Sequence, residues 1–269
     1  MWDMEPRKVL VGVESEDCDA VLQYAVAEAR RRGCGVHLAH VARPSVLSSC
    51  VLDDLALVDD ELRRTDQLVL AAAEARVHVL LDELAPEDDR LSVSTELTHG
   101  PAVPMMSSLS RHASLLVLEH RRAAALVVVA HCPVVVVQPG WRLGTDAQGT
   151  VVVGIEDLRR AGALLSAADH EALRRGARLR VVTVVPPDSV GSAEPDLPAT
   201  ESAAELVVEA GDAADVLLAQ AEKAELLVIG RHQRRHLVGR ASGRTVGQLL
   251  RHCSVPLLLV DRAAGETEG

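Results

Sequence analysis

Short continuous apolar runs alternate along this chain with stretches whose apolar residues recur every three or four positions. "VLVGV" (9–13) and "VVVGI" (151–155) are runs of the first kind, expected of strands buried on both faces of a parallel sheet. After the first, Cys18, Val21, Leu22, Ala25, Val26 and Ala29 share one helical face; after the second, Ala161, Leu164, Leu165, Ala168 and Ala172 do the same. Gly33 and Gly176 follow and are placed to end those helices. Strands "VHLAHV" and "LRVVTVV" come next. Gly100-Pro101 and Gly211 then each open a later helix. Such alternation predicts parallel strands joined by right-handed crossovers.

The pattern is written twice. "VLVGVE" (9–14) returns as "VVVGIE" (151–156), and "RRGCGVHLAHV" (31–41) as "RRGARLRVVTV" (174–184). "ASLLVLEH" (113–120) returns as "AELLVIGR" (224–231), and "HCPVVVV" (131–137) as "HCSVPLLLV" (252–260), in the same order. Four matches in register identify a tandem duplication. The predicted organisation is a first domain over 1–138, a Pro- and Gly-bearing linker over 139–150, a second domain over 151–262 and a frayed tail over 263–269. The strands "PVVVVQ" and "PLLLVD" that close the two halves would be exposed apolar edges unless paired. They are therefore expected to meet, making an internal pseudo-dimer.

Spacing shows where the halves diverge. Val41 to Gly100 spans 59 residues, room for one or two helices over 53–84, whereas Val184 to Gly211 spans 27. The second half has "PPDSVGSAEPDLPATESA" (186–203) there, which reads as a loop with the helix shortened or gone. Farther on, the difference reverses. Ile229 to Pro256 spans 27 residues against 15 from Leu118 to Pro133. The surplus falls in "GRHQRRHLVGRASGR" (230–244), a glycine-punctuated loop leaving a strand.

Composition narrows the function. The 269 residues suit two domains, and with Phe absent and aromatics at 1% the core must be Val, Leu, Ile and Ala. A formal charge of −11 and the lack of stacking side chains argue against nucleic acid and anionic membrane as partners. Five widely spaced cysteines, without a CxxC, argue against zinc and dithiol sites. The start has no apolar leader and no run approaches a membrane span, so the cytoplasm is the expected compartment. No GxSxG, GxxxxGK[ST] or HExxH pattern occurs; no catalytic or metal site is assigned.

With these motifs, and above all "ELLVIGRHQRRHLVGRASGRTVGQLLRHCSVPLLLV" (225–260), the chain resembles the universal stress protein family, as a tandem two-domain member. The resemblance implies two Rossmann-like domains of the adenine nucleotide alpha hydrolase-like kind. Each would be an open, mainly parallel five-stranded sheet flanked by helices. It implies a stress-response role, ATP with Mg2+ as ligand in the members that bind one, and at most slow incidental hydrolysis.

Nucleotide-binding members share a loop of Gly, two residues, Gly, nine residues, Gly, then Ser or Thr, which brings backbone N–H groups to the phosphates. Here Gly230 and Gly243 match, while Gln233 and Arg244 depart, and Thr245 follows one position late. By the resemblance, Glu156 would lie near the ribose, Val184 near the adenine, and Gly230, Arg231, His232, Gln233, Gly243, Arg244 and Thr245 around the phosphates, with the helix starting at Thr245. Arg244 would either clamp the phosphates or block them. In the first half Glu119 replaces Gly230 and the loop is missing, so no ligand is expected there. Two readings stand: weak binding of ATP or a related nucleotide in the second half, or a ligand-free scaffold for dimerisation, as a homodimer or with an unnamed protein partner.

Overall fold

In the computed structural model residues 7–15, 17–42, 53–84, 91–144, 149–186, 198–231 and 240–261 are described. By internal contacts the chain divides into two compact units, residues 1–119 with 129–132, and residues 120–128 with 133–269.

The first unit opens with β1 (Val9–Gly12), α1 (Asp19–Arg32), β2 (Val36–Ala42), α2 (Asp53–Leu84) and β3 (Val93–His99). It continues through α3 (Ala102–Leu109) and a short 3-10 turn to β4 (Leu115–Glu119). Its strands are parallel in the order β3-β2-β1-β4. The apolar runs are buried on both faces as the periodicity predicts: Val9 and Val11 are 0% exposed. Residues 53–84 form a single helix. It is tied to the rest of the unit by Arg76, whose Nε donates to Asp19 Oδ1 at 2.6 Å, and by Asp66, which lies 2.9 Å from His40 Nε2.

The second unit takes in most of α4 (His120–Val129), β5 (Val134–Val137), β6 (Thr150–Gly154), α5 (Gly162–Arg175) and β7 (Arg178–Val185). Then come β8 (Ala204–Ala210), α6 (Ala213–Ala221), β9 (Leu226–Arg231), α7 (Arg240–His252) and β10 (Leu257–Asp261). The strand order is β5-β10-β9-β6-β7-β8. Five of these strands are parallel, while β5 runs antiparallel to β10 with Val135 opposite Leu258. The closing strands of the two repeats therefore meet, which removes the apolar edge each would otherwise expose.

The repeat is kept in detail. Gly33 and Gly176 both end their helices in the left-handed region, at φ 59° and 61°. Each is followed by the same return bond, Cys34 N–H to Ala29 O at 3.0 Å and Ala177 N–H to Ala172 O at 2.9 Å. Glu28 and Glu171 sit at equivalent places and are both buried. Each is neutralised by the arginines three and four residues on: Arg31 and Arg32 for Glu28, Arg174 and Arg175 for Glu171.

The halves differ after their second strands, where the first has α2. Residues 187–197 of the expected 186–203 loop lie outside the described residues, and 198–203 are irregular up to β8. Asp169 of α5 holds that end in place. It accepts from Glu201 N–H at 2.8 Å, from Ser202 N–H at 3.0 Å and from the Ser202 hydroxyl. Burial opposes its charge, but the Ser202 hydroxyl and the two N–H groups outweigh burial and keep the carboxyl below its ordinary value. The matching residue of α1, the helix on which α2 packs, is Val26. On the sheet, His40 bonds both Val13 O and Asp66, whereas its counterpart Thr183 has a buried hydroxyl with no partner among the described residues.

Candidate functional site

A cavity of about 330 Å³ opens in the second unit at the C-terminal ends of β6, β7 and β9. Neighbours β7 and β9 flank β6 on opposite sides, so this is the switch point where open α/β sheets bind ligands. Gly154, Ile155 and Glu156 enter it from the end of β6, with Val182, Val184, Val185 and Pro186 from β7. Gly211, Ala213 and Leu217 supply the wall at the start of α6, and Ile229 and Gly230 come from the end of β9. Thr245 and Val246 of α7 complete the lining.

Local rules build each wall. The end of β6 needs glycine because a Cβ on Gly154 would stand 2.8 Å from both methyl groups of Leu217. The same close approach occurs in the first unit, where a Cβ on Gly12 would meet Leu118 Cδ2 at 2.7 Å and Met106 Cε at 3.3 Å. The turn into α6 uses Gly211 at φ 152°, after which Asp212 caps the helix by accepting from Ala214 N–H at 3.0 Å. The walls are mostly apolar; Glu156 is exposed on the rim.

The structure brings together four of the nine sequence-derived candidates: Glu156, Val184, Gly230 and Thr245. His232 and Gln233 lie outside the described residues. Arg231 is turned elsewhere, a correction to its expected place beside the phosphates. It is 2% exposed, pairs through Nε with Asp261 Oδ1 at 2.6 Å and donates through Nη1 to Val127 O at 2.5 Å. It follows Gly230 on a strand, and strand alternation sends its side chain away from its neighbour's face. Arg244 is exposed and is not among the cavity-lining residues.

The expected helix start at Thr245 also moves. The helix α7 begins at Arg240, which puts Gly243 and Arg244 inside it and Thr245 in its second turn. Only the first four N–H groups of a helix lack an internal partner. Thr245 therefore offers its hydroxyl, not its backbone N–H.

The first unit is built differently at the matching place. β4 ends at Glu119 and α4 follows at His120, leaving no residues for a loop. Burial first, then the Glu119 carboxylate, pushes the Cys18 thiol up to about 12.

Sequence reasoning missed the apolar walls, among them Ile155, Val182, Val185, Pro186, Leu217 and Val246. Nothing in their types separates a cavity wall from a core contact. The glycine of "VVVGIE" was the one available signal. Among the described residues no group of three His, Cys, Asp or Glu side chains is placed to hold a metal. Among them, too, no helix is long and apolar enough to cross a membrane.

Comparison with known proteins agrees with this architecture. A universal stress protein of Mycolicibacterium smegmatis is 27% identical over 286 aligned positions, covering 94% of this chain and 96% of that one. A universal stress protein of Mycobacterium tuberculosis is 26% identical over 301, covering 95% and 98%. The crystal structure of a universal stress protein from Archaeoglobus fulgidus superposes with a TM-score of 0.69 at 14% identity, over 94% of this chain and 98% of that one. A putative universal stress protein from Pseudomonas aeruginosa gives 0.60 at 18%, over 95% and 93%. The family model described as "Universal stress protein family" matches residues 5–138 and 198–261. With one match in each repeat, the chain belongs to the universal stress protein family, as a tandem member.

Proposed function

We propose that this protein acts in the stress response by weak binding of one adenine nucleotide per chain, in the cavity of the second unit. The observation that carries the reading is the convergence of Glu156, Val184, Gly230 and Thr245, from four separate segments, on one cavity at the strand ends. The apolar wall around Val184 suits a base. The rim carboxylate of Glu156 suits a ribose hydroxyl or the Mg2+ that accompanies the phosphates. The lack of a side chain at Gly230 and the hydroxyl of Thr245 suit a phosphate. Binding, not turnover, is the activity proposed.

The departures in the loop argue that the affinity is low. Arg231 is committed to Asp261, and the helix already consumes the N–H of Thr245. The same two observations favour the competing reading of a ligand-free scaffold, so the test must separate them. Titration calorimetry with ATP and Mg2+ should give a dissociation constant in the upper micromolar range. Gly230→Glu, which installs the residue of the first repeat, should abolish it. Arg244→Ser should change binding by less than about threefold, because Arg244 does not line the cavity. No saturable binding of ATP, ADP or AMP at millimolar concentration would leave the scaffold reading.

A further inference from the structure

Helix α2 carries two apolar faces. Val69, Leu70, Ala73, Val77 and Leu80 are buried in the first unit. Leu68, Ala72, Ala75 and Val79 form a second stripe on the outer side, at spacings of four, three and four residues, and all are exposed. Leu68 is 65% and Val79 45% exposed, and these are two of the four most exposed large apolar side chains described. The stripe is one helical seam of the kind that a second helix covers.

Its ends say which helix. Arg64 and Asp82 flank the stripe, are both exposed, and have no ion-pair partner among the described residues. They are 18 residues apart, which is five whole helical turns, so they share one azimuth. The two alanines lie at the midpoint, with Leu68 and Val79 equally far out on either side. An arrangement symmetric about its centre in size and antisymmetric in charge complements itself when turned end for end.

We propose that α2 is a homodimer surface on which a second copy of this chain packs its own α2 antiparallel about a twofold axis near Ala72 and Ala75. The small central side chains let the helix axes approach closely. Leu68 of each chain meets Val79 of the partner, and Arg64 of each meets Asp82 of the partner. The contact runs over about 27 Å of helix at 1.5 Å per residue. It falls at the low end of interface sizes, under about 1,200 Å². The dimer is therefore weak and concentration-dependent. The proposal is independent of nucleotide binding, since α2 belongs to the first unit.

Charge reversal on the full chain tests it by sedimentation equilibrium from about 5 to 500 µM. The average mass should climb toward that of two chains. R64D and D82R should each raise the dimer Kd about tenfold, because each turns two attractive pairs into repulsive ones. The double variant R64D/D82R restores opposite charges and should return the Kd to within about threefold of the starting protein, a recovery that a folding defect would not show. Leu68→Glu should leave a monomer. A monomer at every concentration overturns the proposal. So does a dimer indifferent to R64D and L68E, and so does a double variant that stays as weak as the singles.

Discussion

Arg231 and Asp261 face each other across the neighbouring parallel strands β9 and β10, joined by two bonds, Nε to Oδ1 at 2.6 Å and Nη2 to Oδ2 at 3.2 Å. The arginine is buried and the aspartate one-third exposed. A residue that sequence motifs assign to phosphate thus serves to close a sheet. Asp261→Ala would take both of these bonds from the buried guanidinium and leave its bond to the Val127 carbonyl in place. Removing one member of a fully buried pair costs about 3–5 kcal/mol. Water reaches Asp261, so a loss of about 2 kcal/mol is expected in urea unfolding. Nucleotide affinity, measured on the same variant, should stay within about twofold.

Thr183 supplies a test with the opposite sign. Its hydroxyl is buried and has no partner among the described residues, where the first repeat has His40 bonded to α2. Thr183→Val keeps the shape and the strand preference while removing the orphan polar atom. The substitution should stabilise the protein by about 1 kcal/mol in chemical denaturation. A loss of stability would mean that the hydroxyl is bonded in solution.

Asp169 makes the stability acid-sensitive. Its carboxyl is held below the ordinary value, so the folded state binds its proton less readily than the unfolded chain. Its contribution is full above the unfolded value near 3.8 and is lost as pH falls through the lower folded value. Asp169→Asn should cost about 1–2 kcal/mol at pH 7, because one amide group cannot accept from two backbone N–H groups and a hydroxyl at once. The difference between the two proteins should shrink below pH 3.8 and not at pH 5–6, as read from urea midpoints across pH.

Gly154 tests the cavity wall. Gly154→Ala puts a methyl group 2.8 Å from Leu217, which must move or strain α6. Overpacking of this kind costs about 1–3 kcal/mol. Leu217→Ala in the same chain should recover part of the loss, whereas on its own it should cost about 2–5 kcal/mol. Absence of any coupling between the two substitutions would mean that they do not touch.

The sequence alone determined the architecture, because the forces that set it are local and repeated. Buried parallel strands demand runs such as Val151–Val153, and a helix ending in the left-handed region demands Gly33 or Gly176. Once written twice, such rules also predict that β5 and β10 pair, since each is an apolar edge. Helical structure over 53–84 and the missing loop after Glu119 were legible as counted spacings, while the structure decided that 53–84 is one helix and that α4 follows Glu119 directly. What only the tertiary structure decided was where polar side chains point and what they meet. Arg231 reads as a phosphate ligand until Asp261 is found beside it, 30 residues away in the chain. Asp169 interrupts an apolar helical face, yet only folding brings Glu201 and Ser202 to it. The cavity is set in the same way, because its walls are ordinary apolar residues from β6, β7, β9, α6 and α7. Composition cannot distinguish a side chain facing a void from one facing a neighbour; that difference exists only once the segments are packed.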